Sequence, residues 1–189
     1  LRTVTGVQTC ALPIYKSIKL IKDAFAADKI IGVVSQKDVS VEDPKFEDLN
    51  NVGTVAQILK MLRMPDGNTT VIIQGKKRFR VKELIQEEPY VKCAVEKFSE
   101  SAPAKKDQEF IALISSLKDM ALQIIKLSPH IPSDASFALK NIESAAFLVN
   151  FISSNMNVNV AQKQELLEMK DLKERATKVL EYLTKEIQM

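Results

Sequence analysis

The sequence predicts an α+β fold, an antiparallel β domain followed by an α-helical bundle, and three observations carry that reading. Up to Phe98, short β-branched runs alternate with Pro, Gly and Asn turn signals. Between Ser99 and Asp107 the chain becomes polar and charged around Pro103. Beyond Asp107 apolar residues recur at helical spacing, in segments separated by proline- or serine-containing breaks.

The elements follow in order. Residues 4–14, Val4 to Ile14, read as the in-frame translation of a short-read sequencing adaptor, so residues 1–14 are set aside from the fold as non-native. Lys16 to Lys29 carries Ile18, Leu20, Ile21, Ala24 and Phe25 at helical spacing, with Ser17 as a candidate cap. Ile30 to Val34 is a compact buried strand, and Val39 to Asn51, acidic and holding Pro44, reads as a loop. Thr54 to Met64 fits neither pure alternation nor a clean helical face, and reads as a strand with a bulge. Pro65-Asp66-Gly67-Asn68 is a turn, because proline sets φ and glycine accepts positive φ, and Thr69 to Gln74 closes the hairpin. A further turn at Gly75-Lys76-Lys77 leads to strands at Arg78 to Gln86 and Tyr90 to Glu96, five in all. Closely spaced strands joined by short turns favour an antiparallel barrel or sandwich.

Helices are expected over Asp107 to Leu127, from Ser133 or Asp134 to Asn141, over Ile142 to Ser154, over Val160 to Met169 and over Asp171 to Met189. The last carries Leu172, Ala176, Val179, Leu183 and Ile187 on one stripe and ends without glycine, proline or cap, the pattern of a chain that stops inside a longer helix. The resulting organisation is 1–14, 15–100 as the β domain, 101–170 as the bundle and 171–189 as the start of a connecting helix.

Composition excludes more than it identifies. Hydrophobic residues make up 46% and charged residues 27%, globular values that argue against disorder. The net charge of +3 is too mild to imply nucleic acid, and two cysteines cannot build a disulfide framework. No apolar run approaches the roughly 20 residues of a membrane helix, so a reducing cytoplasmic setting is the default expectation.

No catalytic constellation is legible. The single histidine, His130, lies between Pro129 and Ile131 with no serine, cysteine or carboxylate partner nearby, and Cys93 reads as a small core hydrophobe. Gly75-Lys76-Lys77 lacks the second glycine and following hydroxyl of a phosphate-binding loop. Two stretches suggest binding instead. Lys76 to Arg80 with Lys82 interleaves bases with Phe79, which suits either phosphate contact or an ordinary solvated strand face with Phe79 buried. Met61 to Met64 offers flexible methionines, which suit either promiscuous apolar contacts or core packing.

The strings Lys16-Ser17-Ile18-Lys19-Leu20, Ile31 to Asp38, Val52 to Ile58, Leu62 to Val71, Ile73 to Phe79, Glu88-Pro89-Tyr90 and Ala94-Val95-Glu96, in that order, resemble the N-terminal region of Lon-type ATP-dependent proteases. Phe147 to Ile152 and Gln162 to Leu167 extend the likeness more weakly into the helical half. The resemblance covers Tyr15 to Met189. It implies a PUA-like pseudo-barrel, a helical bundle, and a helix leading to ATPase and serine–lysine protease domains beyond Met189. The family has one more strand ahead of the position of Tyr15, where this chain carries adaptor-like sequence, so the barrel is expected to lack its first strand.

What the resemblance implies for function is a non-catalytic module that recruits unfolded or damaged proteins and helps a cytoplasmic, bacterial-type hexamer assemble. It implies no cofactor in this chain, ATP and magnesium being used by the ATPase domain, and no membrane or nucleic-acid partner. Met61, Met64, Arg78 and Phe79 are the expected substrate-protein contacts. The alternative is a standalone PUA-like module that binds a ligand or nucleic acid, since a barrel fold does not fix function.

Overall fold

The structure, a computed structural model, describes residues 15–42, 44–63, 65, 69–127 and 134–188. The adaptor-like segment, Met64, most of the turn after it and His130 with its flanking loop lie outside the described residues. The chain divides into two compact units, one ending at Phe98 and the other beginning at Ser99.

The first unit holds helix α1 (Tyr15–Ala26) and strands β1 (Ile30–Val33), β2 (Val52–Arg63), β3 (Thr69–Gln86) and β4 (Lys92–Lys97). They form one antiparallel sheet in the order β1-β2-β3-β4. Among the described residues the expected barrel is an open sheet, with β1 and β4 as its edges and no pairing between them. The five expected strands are four, because Gly75-Lys76-Lys77 does not turn. The segment runs through as part of β3, and the β2 register steps from Val55↔Lys77 to Ala56↔Gly75, which leaves Lys76 as an extra residue in the ladder. A glycine inside a strand pattern marks a bulge as readily as a turn, and two lysines after it supply no second turn residue. The bulge expected in β2 is found between Ile58 and Lys60.

Ile21, Ala24 and Phe25 of α1 cover one face of this sheet, packing with Ile31, Ala56, Ile58, Met61, Val71 and Ile73. After α1 the Lys29 N–H donates to the Ala24 carbonyl at 2.8 Å, with Lys29 at φ 61°. That left-handed step redirects the chain from helix into β1. The long β1–β2 loop contains the 3₁₀ turn Phe46–Asp48 and is tied back by Asn50, whose Nδ2 donates to Ser35 Oγ at 2.9 Å.

The second unit holds α2 (Gln108–Leu127), α3 (Asp134–Lys140), α4 (Ala145–Asn155), α5 (Val160–Glu168) and α6 (Leu172–Gln188). Its starts are set by caps. Asp107 accepts the Phe110 N–H at 3.0 Å, Ser144 accepts that of Phe147, and Asn159 and Gln162 cap α5 reciprocally. Ser144 therefore starts α4 three residues later than apolar content alone suggests. Asp171 accepts the N–H groups of Lys173 and Glu174 at the head of α6. The core gathers Leu117, Leu139, Leu148, Val149, Ile152, Leu166, Val179 and Leu183. From Leu172 to Leu183 the α6 stripe is buried within this bundle.

Candidate functional site

Phe79 sits at the centre of the sheet, 5% exposed, and the two glycines opposite it explain how it fits. A Cβ on Gly32 would lie 3.1 Å from Phe79 Cζ, and one on Gly53 would lie 2.9 Å from the same atom. Two neighbouring strands thus give up side chains to make a slot for one ring. Gly53 pairs with Phe79 in the β2–β3 register, so the slot follows from strand pairing.

Arg78, next in the chain, faces the other way and is 4% exposed. Its guanidinium lies 4.8 Å from the Phe98 ring centroid, and that of Arg80 lies 5.3 Å from the same ring. Stacking on a ring face shields part of an arginine while keeping a favourable interaction with its charge. Met61 is half-buried against the core under α1. Among the four residues expected to contact a protein, Phe79 and Arg78 thus lie inside, Met61 at the margin, and Met64 outside the described residues.

The sheet is not uniform along its length. β1 pairs with β2 only from Thr54 to Gln57, and β4 pairs with β3 only from Phe79 to Gln86. Beyond Ile58, whose N–H still donates to the Lys29 carbonyl at 2.7 Å, the far ends of β2 and β3, Leu59–Arg63 and Thr69–Ile72, show ladder pairing only with each other among the described residues. Two large apolar side chains are exposed along this stretch, Leu59 at 44% and Leu62 at 43%, and Ile30, 40% exposed, stands on β1 opposite Gln57. The stretch is basic. Lys60 and Arg63 are exposed on β2, Lys77 is exposed farther along β3, and Lys76 donates to Gln74 Oε1 at 2.6 Å.

Sequence reasoning offered Met61 to Met64, which contains Leu62, for contact or packing but assigned no face to Leu59 or Leu62, because the bulge between Ile58 and Lys60 breaks the alternation. It also missed Phe137 on α3, which stands 74% exposed in the second unit. That unit has a cleft of about 470 Å³ lined by Ile114, Lys118, Asn141, Glu143, Ser144 and Leu148 among others. Lys118 is committed there, donating to the carbonyls of Lys140 at 2.8 Å and Ile142 at 3.1 Å.

Cys93 is half-buried opposite Leu84, and burial raises its thiol above the ordinary range, away from a reactive thiolate. No group of three or more His, Cys, Asp or Glu side chains is placed to hold a metal among the described residues. No helix among them is long and apolar enough to cross a membrane.

Comparison with known proteins supplies the context. A family model described as the ATP-dependent protease La (LON) substrate-binding domain matches residues 9–185. A Lon protease of Flavobacterium johnsoniae is 56% identical over 173 residues, which cover 92% of this chain and 21% of that protein. One from Cytophaga hutchinsonii is 47% identical over 174 residues, with the same two shares of 92% and 21%. One from Parabacteroides distasonis is 42% identical over 193 residues, covering 100% of this chain and 24% of that protein. The chain thus spans between a fifth and a quarter of the length of these curated relatives. Among solved structures, the N-terminal domain of a Mycobacterium avium complex Lon protease superposes with a TM-score of 0.75 at 18% identity, covering 97% of this chain and 91% of that one. A Lon N-terminal domain protein from Xanthomonas campestris gives 0.59 at 16% identity, covering 95% and 92%. At these identities the two structures speak to the fold alone.

Proposed function

Because the chain belongs to the Lon substrate-binding domain family, we propose that it recruits unfolded or damaged proteins through apolar side chains displayed on its β sheet. The single observation that carries this is the exposure of Leu59 and Leu62 on β2 and of Ile30 on its neighbour β1. Apolar side chains in an otherwise charged setting suit a partner that has lost its own core. Of the four expected contacts, Met61 and Met64 stay in the proposed surface, while Phe79 and Arg78, buried in the first unit, do not reach a partner.

In this reading the chain performs no catalytic step and carries no cofactor. ATP and magnesium belong to an ATPase region, and peptide cleavage to a protease region, in the rest of a Lon polypeptide. The setting is cytoplasmic and the assembly a hexamer. Six tethered copies raise the effective concentration of a weak site, so recruitment needs no deep pocket on one copy.

The test is a titration of this chain with unfolded casein and with a short RNA, each at two salt concentrations. Binding of casein that persists at high salt, with no RNA binding, is the expected result. Salt-sensitive RNA binding without casein binding would replace this reading with a nucleic-acid one.

A further inference from the structure

We propose that the face of the β2–β3 hairpin turned away from α1 selects unfolded segments in which apolar and acidic residues alternate, an acid resting on Lys60 between apolar contacts at Ile30 and Leu62. The inference rests on the recruitment reading above and adds to it the class of segment recruited.

Strand alternation assigns the face. Ile31, Ile58, Met61, Val71 and Ile73 pack beneath α1. Their neighbours along each strand point to the other side of the sheet. Ile30 pairs with Gln57, Lys60 with Ile72 and Leu62 with Thr70, so these pairs share that other side. The bulge at Leu59 does not reverse this for Lys60, because its partner Ile72 lies between two residues of the core. On this side Ile30 is 40% and Leu62 43% exposed, and Lys60 is exposed between them.

Spacing then defines the occupant. From the Gln57 level, where Ile30 stands, the ladder takes two steps to Lys60 and two more to Leu62. At about 3.3 Å per step, Lys60 lies roughly 7 Å and Leu62 roughly 13 Å beyond Ile30 along the strand direction. An extended chain laid along β2 has the same repeat and turns residues i, i+2 and i+4 to one side. It sets apolar residues i and i+4 against Ile30 and Leu62 and brings residue i+2 onto Lys60.

Charge decides what sits at i+2. Residues 57–63 of β2 and 69–78 of β3 contain Lys60, Arg63, Lys76, Lys77 and Arg78 and no acid. Lys76 reaches the same side, since its ammonium donates at 2.6 Å to Oε1 of Gln74, the partner of Gln57. Asp28 stands at the Ile30 end, where it accepts the Ile30 N–H at 3.0 Å. A basic centre flanked by apolar groups attracts an acidic residue between two apolar ones, and it repels a basic segment or a second copy of the same face.

The experiment uses the 189-residue chain, its variants Lys60→Glu and Leu62→Ser, and two labelled peptides. Both peptides carry valine at i and leucine at i+4 in a serine background, one with glutamate and one with lysine at i+2. Unfolded casein is titrated in parallel. The expected result is that the unaltered chain binds the glutamate peptide about tenfold more tightly than the lysine peptide, and that Lys60→Glu reverses the order. Leu62→Ser should weaken both peptides alike, about threefold or more. Amide NMR shifts induced by the glutamate peptide should centre on Lys60, Leu62, Thr70 and Ile72. If casein binds but the unaltered chain shows no preference between the peptides, or Lys60→Glu leaves the preference unchanged, recruitment stands by another surface and this inference falls alone. A variant that changes the oligomeric state in sedimentation without changing peptide binding would make the face a contact between copies and would equally overturn it. If neither casein nor either peptide binds the unaltered chain, the recruitment reading falls and this inference with it.

Discussion

A Cβ placed on Gly53 would approach Cζ of Phe79 to 2.9 Å and would also press into the Val33 carbonyl oxygen and, at 2.7 Å, into Val34 Cγ2. Backbone cannot retreat as a side-chain tip can, so the two glycines around Phe79 differ in consequence. Gly53→Ala should lose about 3 kcal/mol, at the upper end of overpacking effects, whereas Gly32→Ala, which meets only the Phe79 ring, should lose about 1 kcal/mol. Urea denaturation of the two variants ranks them. Equal losses would mean that the ring, and not the β1–β2 backbone, bears the strain.

Lys29 occupies a left-handed conformation with its Nζ 4.9 Å from the Phe25 ring centroid. Lysine in that region is strained, and glycine relieves it, at the cost of a more flexible unfolded chain and one lost cation–π contact. The net for Lys29→Gly is a gain of about 0.5 kcal/mol, while Lys29→Val, β-branched, should lose more than about 1 kcal/mol. Thermal melts of both settle the matter, and a stabilised valine variant would contradict it.

Much of this architecture is legible in the sequence because it rests on local rules. The helices of the second unit follow clear apolar periods, although Ser144, not read as a cap, starts α4 later than apolar content suggests, and β2 announces its bulge through its broken alternation. Gly75-Lys76-Lys77 was legible only as punctuation, and which kind depends on the partner strand: β2 continues straight past it, so the punctuation is a bulge. Arg78 lay in a basic run that reads as solvated or contacting, yet it is buried, because Phe98, twenty residues on, supplies the ring it stacks against. Nothing near Arg78 in the chain reports that ring. Where β1 begins is set by the left-handed turn at Lys29, a conformation that lysine does not advertise.

Two carboxylates that hold the second unit together sit below their ordinary value of 3.8. Asp107 does so mainly because it accepts the Phe110 N–H and then the Lys173 ammonium, and Asp171 mainly because it accepts the Glu174 N–H. A carboxylate lowered in the folded state stabilises it above the unfolded value, and that contribution is lost as pH falls through the lower folded value. The helical unit should therefore weaken in acid, below about pH 4. Asp107→Asn and Asp171→Asn should each weaken it near neutral pH and flatten the acid limb of a urea midpoint followed by helical circular dichroism. An unchanged acid limb in both variants would place the titration elsewhere.

Arg175 and Glu100 form an ion pair that is almost wholly buried within the second unit, on the arginine side especially. It lies beside a short backbone clasp, in which the Ser101 N–H donates to the Lys170 carbonyl at 3.0 Å and the Leu172 N–H donates to the Ser101 carbonyl at 2.9 Å. The pair and the clasp together fix the first residues of the unit to the head of α6. Removing one partner strands a charge out of water, so Glu100→Met and Arg175→Met should each cost about 3 kcal/mol or more. Replacing both removes the stranded charge, and a well-packed Glu100→Met, Arg175→Met double variant should recover most of that loss, giving a coupling of at least about 2 kcal/mol. Four urea curves close this cycle. Single losses below about 1 kcal/mol would put the pair in the class of solvent-screened surface bridges, and the backbone clasp alone would then hold the entry to the bundle.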